Sequence, residues 1–525
     1  MSDVPSTHDA PPQSDLPPAV PAPPAAPARP LRRLAIAAPA PVLSGLDRAK
    51  QQLATLDAPA AIALFELGAG ERLLKTTVSV CPTCLVHVPA AVFVRGQRVL
   101  LRKRCAEHGR ADAVIENDER FYHRSNKDTS GRSYGESRAF DIPAWKAPEG
   151  TSCCEGGSCG ESTDQMGNKT CTILVEVTDA CNLACPVCYS DAKGERKMPL
   201  ANFQRYIGEL VAKKGGLDSV QLTGGEALLH PELWEMIAFL HADKRIGKIY
   251  LPTNGLLLDR DDVMRRLLPF KDRLMVLLQF DGGTDATDRA LRGATPRKVR
   301  ERVLAKLDKL GVHVQLTMTL VQGVNEREVG DVVRAGLRHE SVKVVALQPA
   351  TYSGRFEHEQ DAEARLTLSD LVKAVSAQAG VRVRLEDFVP IPCSHPNCGW
   401  ITLFVRRFGF VQNMVRFVDV PKVVEQVAYR TLLSTNELRS AVGTAVGSPI
   451  RRVIGKIGRK LVRSTDVFTI AIKPFMDRHT YDQDRIANCC HHLMDTHGAP
   501  VSFCEYNALR RKDDPWDRLP KLAAS

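Results

Sequence analysis

The sequence predicts an α/β protein: a partial barrel of six βα units, with a small metal-binding module before it and an α-rich, cysteine-containing region after it. Three observations carry this. From residue 171 to about 350, short β-branched runs alternate with stretches whose apolar residues recur about every 3.6 positions. Such alternation implies a parallel sheet with its site at the carboxyl ends of the strands. Fifteen cysteines fall in tight clusters. One cluster, Cys181-x3-Cys185-x2-Cys188, directly follows the first β-branched run.

The candidate strands are 172–178, 219–223, 248–252, 274–280, 313–319 and 342–348. Candidate helices lie between them at 201–213, 231–243, 260–268, 296–310 and 327–337. Before this core (171–385), eleven of the 33 prolines lie in the first 40 residues. Residues 1–44 are therefore read as a disordered tail, since such a composition cannot bury a core. Residues 45–125 hold a leading helix (45–66) and a first ordered module. There Cys81-x2-Cys84 and Cys105-x2-His108 bracket a hairpin that turns at Gly96. Three thiolates and an imidazole suit a tetrahedral ion, zinc or iron, in a zinc-ribbon or rubredoxin-like module. Residues 126–170 are a loop-rich linker with Cys153, Cys154 and Cys159, and Cys171 opens the core. Residues 386–525 carry Cys393, Cys398, Cys489, Cys490 and Cys504.

Composition limits the function. The chain has 525 residues, 44% hydrophobic and 25% charged, with a net charge of +10. That is an ordinary globular balance, and the positive excess is modest for the length. Cysteines are too sparse for a disulfide scaffold and too clustered to be structural fillers. With no signal-peptide pattern and no 18-residue apolar window, they read as metal sites in a reducing, cytoplasmic compartment. Residues 421–465 are basic and amphipathic. They suit a solvated outer face or a peripheral contact with an anionic inner-membrane surface. A nucleic-acid-binding module is excluded by the βα repeat and by the few aromatics beside the basic residues.

Three thiolates at this spacing can hold three irons of a four-iron cluster and leave the fourth open to a ligand. A structural zinc knuckle is the alternative, but no fourth ligand follows at zinc-like spacing. Thr223-Gly224-Gly225-Glu226 closes the second strand, and Thr253-Asn254-Gly255 closes the third. The fourth ends in Gln279-Phe280-Asp281, whose two polar side chains share a face. A helix cap is the plain alternative for Asp281.

Together these motifs resemble the radical SAM superfamily. The resemblance implies a [4Fe-4S] cluster on Cys181, Cys185 and Cys188 that cleaves S-adenosylmethionine (SAM) reductively, so that hydrogen is abstracted from an unactivated C–H bond. It implies SAM contacts from Gly224, Gly225, Glu226, Thr253, Asn254, Gln279 and Asp281. A reductant of flavodoxin or ferredoxin type follows from the same chemistry.

A longer series of stretches, in order from about residue 75 to 507, resembles tetraether lipid synthase and its radical SAM relatives. The series includes Cys81-x2-Cys84, Leu291-Arg292-Gly293, Gly354-Arg355, Cys393-x-His395-Pro396-x-Cys398, Cys489-Cys490 and Phe503-Cys504. This implies additional [4Fe-4S] clusters drawn from Cys154, Cys159, Cys171, Cys393, Cys398, Cys489, Cys490 and Cys504. Nine cysteines remain beyond the first cluster and the ribbon, and two four-thiolate clusters need eight. Cys393, Cys398, Cys490 and Cys504 are expected to meet in space. The substrate implied is a lipid alkyl chain joined through a carbon–carbon bond. Methylation, or another radical modification of a small molecule or cofactor, is the alternative. An apolar tunnel at the barrel mouth would favour the lipid, and a charged pocket the small molecule.

Overall fold

A computed structural model describes residues 44–125, 132–133, 170–192, 194–391, 395–407, 409–415 and 466–522. The Pro/Ala tail, Cys153, Cys154, Cys159, Cys393 and the basic stretch 421–465 lie outside these residues.

The N-terminal module is an antiparallel sheet of β1 (Glu71–Val80), β2 (His87–Arg95), β3 (Arg98–Cys105), β4 (Gly109–Glu116) and β5 (Arg132–Ser133), in the order β4-β3-β2-β1-β5. The sequence suggests only the β2–β3 hairpin, because β1 contains the polar run Lys75, Thr76, Thr77 and Ser79. All four are nonetheless buried. Lys75 pairs with Asp484 at 2.9 Å, Thr77 donates to Asp482 at 2.6 Å, and Ser79 donates to the Tyr481 carbonyl at 2.5 Å. Their partners lie about 400 residues away, so no local pattern announces the strand. The leading helix is two helices, Gly45–Ala54 and Ala58–Leu64. Between them Asp57 caps the second by accepting from the amide of Ala60 at 2.9 Å.

The core strands are β6 (Thr172–Thr178), β7 (Val187–Cys188), β8 (Leu217–Gly224), β9 (Ile246–Thr253), β10 (Leu274–Gln279), β11 (His313–Leu320) and β12 (Val342–Pro349). All except β7 lie within one residue or two of the expected spans. Every residue of β6 is buried, as expected of a parallel strand covered on both faces. The helices Leu200–Lys214, Leu233–Ala242, Asp261–Arg266, Arg297–Leu310 and Val329–Arg338 connect them. Two helices are additional, Asp285–Arg292 and Leu368–Gln378. The first of these is short and mostly polar, which hides its period, and Gly293 (φ +66°) stops it.

The described part of the C-terminal region is mostly strand, while the stretch expected to be helical, 421–465, lies outside the described residues. After β13 (Arg355–Phe356), the region's described residues form β14 (Val389–Pro390), β15 (Trp400–Arg407), β16 (Phe410–Asn413), β17 (Val467–Ile472), β18 (His491–Met494) and β19 (Pro500–Ser502). The only described helical pieces there are short ones such as Gln483–Ala487. Strand β17 pairs parallel to β12, and β18 pairs parallel to β6. The parallel run is thus β17-β12-β11-β10-β9-β8-β6-β18, eight strands rather than six. Antiparallel β15 and β19 extend its two ends. One segment, 466–494, therefore supplies a strand to each edge of the six-strand core.

Candidate functional site

The loop Asp179–Cys188 leaves the carboxyl end of β6, and three neighbours hold it. The first is the Gly-Gly-Glu turn after β8. The amides of Gly225 and Glu226 donate to the carbonyls of Thr178 and Ala180, both at 2.8 Å. A Cβ on Gly224, whose φ is +126°, would stand 2.1 Å from the Thr178 oxygen. One on Gly225 would stand 2.0 Å from the Ala180 oxygen. Close approach does demand these glycines, as expected, but what approaches is the cysteine loop itself. Glu226 is buried and spends its oxygens on the amides of Leu228 (3.3 Å) and Asn254 (2.9 Å). Burial raises its carboxyl to about 7. Asn254, at the end of β9, donates to the Asn182 side chain at 2.7 Å and ties the loop to a third strand end. Thr253 accepts from the Gly255 amide at 3.0 Å and shapes that turn.

The second neighbour is segment 349–357. Strand β13 pairs with β7, placing Arg355 opposite Cys188 and Phe356 opposite Val187. A Cβ on Gly354 (φ +60°) would meet the Cys188 and Tyr189 oxygens at 2.4 Å.

The third is Arg292. Asp281 and Gln279 do share a face, but their groups are turned to this arginine. Asp281 accepts from Arg292 Nε and Nη2, both at 2.7 Å, from the Thr319 amide at 3.0 Å, and from Gln279 Nε2 at 2.6 Å. Arg292 is buried and lies against the Cys185 thiol. Burial raises the thiol's pKa and the guanidinium opposes that rise. Burial, with the nearby Glu226 carboxylate, pushes the Cys181 thiol up to about 11. The sequence motif contained Arg292 without assigning it a role. Its signal was a charged residue repeated beside Leu291 and Gly293 in a matching stretch.

Among the described residues, one group of metal-ligating atoms converges on a point. Cys81, Cys84, Cys105 and His108 place theirs within 4.8 Å of one another. The two knuckles follow β1 and β3. Cys84 Sγ lies 3.9 Å from Cys105 Sγ, which in turn lies 3.7 Å from His108 Nδ1. That fits a mononuclear tetrahedral ion. Cys181, Cys185 and Cys188 do not draw together in this way.

The remaining cysteines divide differently from expectation. Cys398, Cys489 and Cys504 lie close enough for a charge on one to raise the pKa of its neighbours. Burial lifts Cys504 to about 12. Arg485 Nε reaches the Cys398 sulfur at 3.4 Å, and the Met476 amide reaches that of Cys504 at 3.3 Å. Cys490 packs instead against Cys171, whose amide donates to the Cys490 carbonyl at 2.9 Å. Adjacent residues entering a strand point to opposite sides, so the pair Cys489-Cys490 splits between two places. Cys490 therefore does not join Cys398 and Cys504; Cys489 does.

Comparison with known proteins agrees with the chemistry and shifts the substrate. Residues 175–335 match the family described as the Radical SAM superfamily, and residues 73–117 match the HMPTM N-terminal zinc ribbon domain. The chain is thus similar over 175–335 to a radical SAM domain, preceded by a stretch similar to a zinc ribbon. It is similar to the 7,8-dihydro-6-hydroxymethylpterin dimethyltransferase of Methanocaldococcus jannaschii, 26% identical over 519 residues, covering 85% of this chain and 98% of that one. It is also similar to the GTP 3',8-cyclase of Chlorobaculum tepidum, 30% identical over 200 residues, covering 36% of this chain and 56% of that protein. Among solved structures it resembles Streptococcus suis SuiB bound to the precursor peptide SuiA, with a TM-score of 0.35 and 12% identity over 57% of this chain and 68% of that one. A relative that matches 85% of this chain is thus a pterin dimethyltransferase. The expected likeness to tetraether lipid synthase is corrected accordingly. Among the described residues, no helix is long and apolar enough to cross a membrane.

Proposed function

We propose that this chain is a radical SAM methyltransferase acting on a carbon of a small nitrogen heterocycle of the pterin type. The observation that carries this is the similarity to the pterin dimethyltransferase, which covers 85% of this chain and 98% of that one. Lipid carbon–carbon bond formation becomes the weaker reading.

In this reading Cys181, Cys185 and Cys188 would hold the cluster that binds SAM. When bound, that pair supplies one-electron chemistry able to remove hydrogen from an unactivated C–H bond. The residues around it hold the loop. The Gly224-Gly225 turn fixes its backbone, Asn254 fixes Asn182, and the Asp281–Arg292 pair sets a positive charge beside Cys185. Cys398, Cys489 and Cys504 would serve one further cluster, with Cys393 the natural fourth ligand. Cys171 and Cys490 would serve another, with the upstream cysteines. Cys81, Cys84, Cys105 and His108 would hold the ribbon's ion, which steadies the knuckles that follow β1 and β3.

The test is to incubate anaerobically reconstituted full-length chain with SAM, a low-potential reductant and 7,8-dihydro-6-hydroxymethylpterin. Mass spectrometry should find pterin heavier by one or two methyl groups, together with 5′-deoxyadenosine. Unmethylated pterin after many equivalents of SAM have been cleaved would refute methyl transfer to this substrate.

A further inference from the structure

A cavity of about 250 Å³ opens over the carboxyl ends of β11 and β12, where Leu320 and Pro349 form its floor. One wall is joined to the cysteine loop. Phe356 lines the cavity and is strand-paired with Val187, next to Cys188. Val187, Leu291 and Val321 form a buried apolar group against which Ala350 and Phe356 pack. The cavity is therefore anchored on the catalytic side of the sheet.

Its lining is not that of a lipid tunnel. The rings of Tyr352 and Phe356 stand 4.8 Å apart at 64°, giving two aromatic surfaces. Arg365 lies under Tyr352 at 4.7 Å, and its charge is already matched by buried Asp477 at 2.7 Å. Asp361 spends one oxygen on the amides of Glu363 (2.8 Å) and Ala364 (3.2 Å) to shape its turn. Glu359 also lines the cavity, at an exposed rim position where no hydrogen bond or ion pair engages its carboxylate among the described residues. The walls thus place an exposed carboxylate beside one edge-to-face aromatic pair, in a space smaller than a drug-sized pocket.

We infer that this cavity receives the planar heterocycle, with the Tyr352–Phe356 pair packed against one side of it and Glu359, at the rim, accepting hydrogen bonds from its amidine-like N–H edge. This rests on the reading of the previous section and adds where the substrate sits and which residue selects it. A 2-amino-4-oxopyrimidine presents two adjacent N–H groups, which a carboxylate can accept side by side. An alkyl chain in the same place would strip water from Glu359 and return no hydrogen bond. Glu359 is therefore a specificity residue, and it touches the ring edge remote from any radical chemistry.

The experiment is anaerobic calorimetric titration of the reconstituted full-length chain, with SAM present. The ligands are 7,8-dihydro-6-hydroxymethylpterin and the matching lumazine, in which a carbonyl oxygen replaces the 2-amino group. The unaltered chain should bind the pterin at least tenfold more tightly than the lumazine. Glu359→Gln should weaken pterin binding about tenfold and erase the discrimination, while Glu359→Asp should keep part of it. Phe356→Leu should weaken both ligands alike. Iron content and circular dichroism confirm that each variant is folded and loaded. If the unaltered chain binds pterin but Glu359→Gln and Phe356→Leu bind it equally well, the cavity assignment is wrong and the methyltransferase reading stands. If the unaltered chain binds no pterin, that reading falls and takes this one with it.

Discussion

Arg292 lays Nε and Nη2 on the two carboxylate oxygens of Asp281, both at 2.7 Å, and both residues are buried. The same guanidinium lies against Cys185. A carboxylate that sequence reasoning assigned to SAM is thereby committed to an arginine, and the arginine to a cysteine. Asp281→Asn leaves a buried guanidinium without its counter-charge, at a cost of about 3–5 kcal/mol in stability. The double variant Asp281→Leu with Arg292→Met removes both charges and should be destabilised less than Asp281→Asn. It should keep its iron, but the cluster's midpoint potential should fall, because a cation beside a cluster favours the reduced state. Chemical denaturation and a redox titration followed by electron paramagnetic resonance check the two halves.

Gly225 admits no side chain, since a Cβ there would stand 2.0 Å from the Ala180 carbonyl oxygen. Gly225→Ala should displace the cysteine loop and lower iron by about four per chain, the content of one cluster. Gly311 provides the control. Its φ is +67° but nothing lies within 4 Å of a Cβ there. Gly311→Ala should cost about 1–2 kcal/mol in backbone strain and leave the iron unchanged. Iron and sulfide analysis of the two variants separates loop displacement from general destabilisation.

The divided cysteine pair gives an additive expectation. With Cys489 facing Cys398 and Cys504, and Cys490 facing Cys171, each alanine substitution should remove a different cluster of about four irons. The Cys489→Ala, Cys490→Ala double variant should then lose about eight, and the Cys398→Ala, Cys489→Ala double variant only about four. Equal losses from both doubles would show that the pair serves one cluster.

Glu116 joins the ribbon to the barrel. It is buried and accepts from Thr367 Oγ1 at 2.9 Å and from the Asp118 amide at 3.1 Å. Burial raises its carboxyl from 4.5 to about 7. Between those values the unfolded chain has lost this proton while the folded chain keeps it. Folding then takes up a proton, so this group's contribution to stability is intact below pH 4.5 and is lost as pH rises to about 7. From pH 5.5 to 7.5, the stability of the unaltered chain relative to Glu116→Gln should fall by about 2 kcal/mol. Denaturant melts at several pH values test this; a constant difference would place the Glu116 pKa outside that range.

Much of the barrel was legible because its signals are local. A β-branched run such as Thr172–Thr178 must be covered on both faces, and helices ending at Gly215 (φ +81°) and Gly311 (φ +67°) carry their own stops. The three loop cysteines, the Gly-Gly-Glu turn and each of the ribbon's two knuckles are spaced within one or two turns of chain. Strands β1, β17 and β18 were not legible. The polar residues of β1 are buried by partners such as Asp484 and Asp482, and β17 and β18 are short runs whose parallel neighbours, β12 and β6, lie over a hundred residues upstream.

The sequence by itself determined the βα alternation, the cysteine triplet, the ribbon ligands and hence the class of chemistry, since each depends on residues close together in the chain. Tertiary structure alone decided what each polar group is spent on. It turned Asp281 toward Arg292, set the cysteine loop against Gly224 and Gly225, and divided Cys489 from Cys490. It also raised Glu359, Tyr352 and Phe356 around a small cavity beside the cysteine loop. The physical reason is that a hydrogen bond or a close contact depends on distance in space, and residues far apart in the chain acquire that distance only when the sheet assembles.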